Sequence, residues 1–184
     1  MSYLWPVLFV ALALTGLALL YWVFRGQRVE LYAPADLERY VQPVDLAAFQ
    51  SLLSPENEDF LRAETSPAEL RSFLRQRRRV AAAYIRRVAA NAAVLTRLAE
   101  LARHSPDAAT AHAGAELANA ALELRLLALL CYARLQLERV HPAAPEYVRR
   151  VAGAYGSLAD RASSVASLLE PTSGMRCARA LASR

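Results

Sequence analysis

Residues 4–24 run for 21 positions without a charged side chain, and no other feature limits the architecture of this 184-residue chain as tightly. Wound as a helix, the run is about 31 Å long, close to the hydrocarbon thickness of a bilayer. Leu4 and Phe24 mark its ends. Trp5 stands at one rim and Tyr21 and Trp22 at the other, where amphipathic rings favour the headgroup level. Arg25 and Arg28 follow directly, whereas no basic residue precedes the run. By the positive-inside rule this reads as a single-pass transmembrane helix in a bacterial inner membrane, with the N-terminus outside and the C-terminal domain cytoplasmic. A cleaved secretory signal fits less well, because it wants a basic leading segment and a shorter apolar core.

Downstream, the chain is punctuated by helix-start chemistry. Ser54-Pro55-Glu56, Ser66-Pro67 with Glu69, and Ser105-Pro106-Asp107 each combine a capping hydroxyl, a proline suited to the first turn and an acid that complements the helix dipole. His141-Pro142 and Pro145-Glu146 break and restart the chain once more. No stretch alternates apolar and polar residues over strand length, so the predicted fold class is all-α.

Three long helices are predicted, at residues 67–103, 106–140 and 145–169. The first carries a stripe at spacings of three and four through Leu70, Leu74, Arg77, Ala81, Tyr84, Val88, Asn91, Leu95, Leu98 and Ala102. The third does the same through Val148, Val151, Tyr155, Leu158, Ala162, Val165 and Leu169. The second has two stripes, one along Leu122, Leu126, Leu129, Ala133 and Val140, the other along Leu117, Ala121, Leu124, Ala128, Cys131 and Leu135. A helix apolar on two sides is expected to be sandwiched, at the centre of an antiparallel three-helix bundle joined by short connections. Short helices before it supply a cover. The resulting division is a transmembrane anchor at 1–28, an acidic segment of short helices at 29–66, the bundle at 67–170 and a disordered tail at 171–184.

Chemistry is sparse. The 22 basic residues are all arginine, which reflects base composition as readily as selection. Two cysteines form neither a disulfide framework nor a metal spacing: Cys131 sits in an apolar helical stretch and Cys177 in the tail. His112 and Glu116 lie one helical turn apart but lack a facing Glu-x-x-His pair, so they read as a surface contact. No phosphate loop, dinucleotide fingerprint or nucleophile elbow occurs, and neither catalytic residue, cofactor nor metal is expected.

The one concentrated feature is basic. Arg71, Arg75, Arg78, Arg79 and Arg86 crowd the first half of the first long helix, together with Arg77 and Arg87. Residues 36–69 carry eight acids and two arginines, net −6, whereas residues 71–103 carry nine arginines and one acid, net +8. The acidic segment packing on the basic helix would offset both. The alternative use of this face is binding anionic membrane lipid; the lack of a recognition motif or interleaved aromatics argues against nucleic acid. The function expected is a non-enzymatic interaction or scaffold module, membrane-anchored, with an unidentified protein partner.

Overall fold

The computed structural model describes Val7, Gly16, Ala33 and residues 36–52, 60–61, 63–137, 146–170 and 173–181. Within these residues the chain is all-α. The elements are α1 (Leu37–Tyr40), α2 (Leu46–Leu52), α3 (Pro67–Arg103), α4 (Ala108–Leu137), α5 (Glu146–Leu169) and α6 (Ser173–Leu181).

The start of α3 follows from its sequence. Ser66 is the N-cap: its hydroxyl accepts from the Glu69 amide at 3.4 Å, while the Glu69 carboxylate accepts from the Ser66 amide at 3.1 Å. Pro67 fills the first turn, where a missing N–H costs nothing. The Ser66 hydroxyl also donates to the Glu69 carboxylate at 2.7 Å, and this bond, with the one from the Ser66 amide, holds Glu69 below its ordinary pKa. The α4 start departs from expectation. The helix begins at Ala108 and the cap is Asp107, whose Oδ2 accepts from the Thr110 amide at 2.9 Å and the Thr110 hydroxyl at 2.6 Å. Ser105 instead accepts from the Asp107 amide at 3.3 Å, which shapes the turn rather than ending it.

The three long helices share one core and form a helical bundle. On α3 the buried positions begin at Ala81 and continue through Ile85, Val88, Leu95 and Leu98; the first turns, with Leu70 and Leu74 half-buried, extend past this core. The α5 stripe is buried from Val148 to Val165. Gly114 lets α3 and α4 approach closely. A Cβ there would lie 2.8 Å from the Arg103 nitrogen and 2.9 Å from the Ala99 oxygen, nearer than real contacts allow. The short N-terminal elements pack on α3, α5 and α6. Phe49 of α2 is fully buried and stacks on Tyr84 of α3, with ring centroids 4.8 Å apart. Burial of such a side chain stabilises the fold by roughly 1.5–3 kcal/mol.

Three expectations need correction. The first is the single-pass inner-membrane placement with a cytoplasmic domain: among the described residues no helix is long and apolar enough to cross a membrane. Even α4, the most apolar of the long helices, is interrupted by Glu116, Glu123, Arg125 and Arg134, so that no charge-free stretch between them exceeds about two and a half turns. Residues 4–24, from which that placement was read, lie outside the described residues except for Val7 and Gly16. Leu4, Trp5, Tyr21, Trp22, Phe24, Arg25 and Arg28 therefore lie outside them too.

Second, α4 is not sandwiched. Its stripe from Leu117 to Leu135 is buried, but Leu122 is 45%, Leu126 42% and Leu130 63% exposed, with Leu129 and Ala133 half-buried. The reason is geometric: among the described elements, α3 and α5 cover one side of α4, and the short helices α1 and α2 pack on α3, α5 and α6.

Third, the tail contains a helix. In α6, Gly174, Cys177 and Leu181 form a buried face against α5. A Cβ at Gly174 would meet Ser167 Cβ at 2.8 Å, so the contact is as close as the one at Gly114.

Candidate functional site

Two arrangements stand out, one inside the core and one on its surface. The inner one centres on Asn91, buried in α3. Its Oδ1 accepts from the Gln42 amide at 2.9 Å, and its Nδ2 donates to the Gln42 carbonyl and to the Tyr155 hydroxyl, both at 2.7 Å. The Tyr155 hydroxyl in turn donates to the Leu181 carbonyl at 3.4 Å. One amide thus joins the segment after α1, the long helix α5 and the end of α6. Burial pushes the Tyr155 phenol up to about 12, against the opposing hydrogen bond from Asn91, and pushes the Cys177 thiol up to about 11. Both groups stay protonated near neutrality, so neither supplies an oxyanion or thiolate there. This arrangement is a structural tie.

The surface arrangement is built on α3 and α4. Helical periodicity puts Arg71, Arg75, Arg78, Arg79 and Arg86 within one arc of about 100°, and the row is about 22 Å long. Arg71, Arg75, Arg79 and Arg86 are exposed and Arg78 is half-buried. Arg77 and Arg87 fall off this arc. Of the eight acids expected to pack over it, three are engaged locally. Glu69 caps α3, Asp36 accepts from the Ala33 amide at 3.1 Å, and Asp45 accepts from the Ala48 amide at 2.9 Å. Glu56, Glu58 and Asp59 lie outside the described residues.

On α4, Leu122, Leu126, Leu129 and Ala133 repeat at spacings of four, three and four, the pattern of a helix-packing seam. Leu130 borders this seam and is 63% exposed. Arg125 flanks it on the side of α3, with most of its surface buried, and loss of solvent lowers its pKa.

His112 and Glu116 meet at 3.5 Å with both side chains exposed. Among the described residues no three potential ligands converge as a metal site would require.

The arginine arc was legible in the sequence. The open leucine seam was not, because periodicity reports that a face is apolar but not what covers it. Cys177 and Leu181 were missed as well. Their signal was the spacing of three and four from Gly174 through Cys177 to Leu181, one apolar helix face in a segment read as unstructured. Compared with known proteins, the chain matches no family model, no curated protein and no solved structure.

Proposed function

We propose that this chain is a non-enzymatic helical interaction module that offers the outer groove between α3 and α4 to a macromolecular partner. The observation that carries this reading is the exposure of Leu122, Leu126 and Leu130 on a helix whose opposite face is fully used in the core. An apolar row of this kind is costly to leave in water and commonly marks an interaction site.

The groove follows from an antiparallel α3–α4 pair. The connection from Arg103 to Ala108 is short, and Gly114 lies against Ala99 and Ala102, which sets the register. Running the helices back along each other brings Leu130 level with Arg86 and Ala133 level with Ala82. The arginine arc lies on the side of α3 next to α4 and away from α5. The leucine seam lies on the corresponding side of α4. By the same register Arg71, Arg75, Arg78 and Arg79 lie level with the end of α4 and beyond it, so the leucine seam is the partner surface and only Arg86 borders it.

The test replaces Leu122, Leu126 and Leu130 with Gln in the producing cells. The full chain is then compared with wild type by size fractionation of native extracts and by denaturation of the purified protein. The wild type is expected to fractionate above its own mass and the variant at it, with stability changed by no more than about 0.5 kcal/mol per site. A variant that unfolds, or a wild type that fractionates alone, would contradict the reading.

A further inference from the structure

We infer that Arg71, Arg75, Arg78 and Arg79 form a second surface, on the projecting end of α3, that binds anionic lipid headgroups at the face of a bilayer. The register at Gly114 puts Ala133 level with Ala82, and therefore Leu137, the last residue of α4, level with Arg78. α5 begins near the same level: the guanidinium of Arg134 on α4 lies over the ring of Tyr147 in the first turn of α5, 4.5 Å from its centroid. The first three turns or so of α3 project past the described ends of both neighbours. The four arginines stand on this projection, about 12 Å from first to last and clear of the leucine seam. A partner on the seam leaves them uncovered, so this surface does not depend on the interaction reading.

The composition of the arc gives the ligand its charge. From residue 67 to 90 the other positions within it are Ala68, Ala82, Arg86 and Ala89, so one sign of charge rises from a low helix surface. Glu69, the acid of the first turn, lies on the far side of α3, where its carboxylate accepts from the Ser66 amide and hydroxyl. Arg71, Arg75 and Arg79 are exposed. Guanidinium groups grip phosphate oxygens through paired N–H donors, and clusters of four or more beside a membrane add about fivefold in affinity each. The shape of the arc separates a bilayer from nucleic acid. It covers about 100° of the helix, and a flat surface meets such a face along its whole length. A helix seated in a duplex groove has phosphates on both flanks, whereas here the flanks are Leu70 and Leu74 on one side and Ser72 and Gln76 on the other. No aromatic or amide side chain lies within the arc to stack on a base or read its edge.

The experiment sediments the full chain with vesicles of phosphatidylcholine alone and with vesicles of equal parts phosphatidylglycerol and phosphatidylcholine, at low and at high salt. The wild type is expected to favour the anionic vesicles, and to favour them less as salt screens the attraction. Arg75→Gln with Arg79→Gln is expected to weaken partition into anionic vesicles roughly thirtyfold, at about fivefold per residue. Arg149→Gln with Arg161→Gln removes the same charge from exposed positions on α5 and is expected to change partition by no more than about twofold. Urea midpoints of both double variants are expected to match the wild type, since all the substituted side chains are exposed. Equal partition of the wild type into neutral and anionic vesicles overturns the inference whatever the variants do. So does an equal loss in the α5 pair, which would make net charge the cause. Displacement of the vesicles by random-sequence duplex DNA at equal phosphate concentration overturns it in favour of nucleic acid.

Discussion

The side-chain amide of Asn91 on α3 donates a 2.7 Å hydrogen bond to the phenol oxygen of Tyr155 on α5, and both residues are buried. The same amide also satisfies the Gln42 backbone N–H and carbonyl, so three separate segments depend on one side chain.

Removing it leaves the buried Tyr155 hydroxyl and the part-buried Gln42 backbone groups without this partner. Asn91→Ala is expected to destabilise the fold by about 2–4 kcal/mol, whereas Tyr155→Phe costs about 1–2 kcal/mol. Urea denaturation of the two variants measures the difference. Equal effects would mean that Asn91 acts only as a packing residue.

Two glycines should respond in opposite directions. Gly114→Ala drives a methyl group against α3 backbone and is expected to cost about 1–3 kcal/mol. Gly153 is exposed in α5, with open space where a Cβ would stand, so Gly153→Ala is expected to stabilise by about 0.5–1 kcal/mol through helix propensity. Thermal midpoints of both variants check this.

Alkaline pH should loosen the junction of α5 and α6. The Cys177 thiol is raised from 9.0 to about 11 and the Tyr155 phenol from 10.0 to about 12. In each interval the folded state holds a proton that the unfolded state has released. Stability is therefore full below the unfolded value and falls as pH rises toward the folded one. Denaturation midpoints from pH 9 to 11 should fall less steeply in Cys177→Ala than in the wild type. Identical slopes would mean that the thiol is not buried in solution.

At acid pH the first turn of α4 is the sensitive point. Hydrogen bonds from Thr110 hold Asp107 below its ordinary value of 3.8, so its contribution is present above that value and lost as pH falls through the folded one. Asp107→Ala is expected to speed amide exchange at Thr110 at neutral pH and to lack the acid-induced increase expected of the wild type. Unchanged exchange would place the helix start elsewhere.

These features differ in how far the sequence could reveal them. The start of α3 was legible because Ser66, Pro67 and Glu69 act within one turn, and capping is local chemistry. Asn91 was visible as a polar break in an apolar stripe, but its partners are 49 and 64 positions away, and no periodicity encodes them. The seam on α4 was read correctly as apolar and wrongly as covered, since coverage depends on where the short N-terminal helices pack. The arginine arc was legible as a face. Its displacement along the helix pair, with only Arg86 level with that seam, required the register set at Gly114.

The most direct measurement places a photoreactive amino acid at Leu126, and in a parallel chain at exposed Gly153 on α5, and irradiates the producing cells. A docking groove between α3 and α4 gives a discrete protein adduct from position 126 and none from position 153. Equal labelling at both positions, or an adduct from 126 only to another part of the same chain, would contradict it.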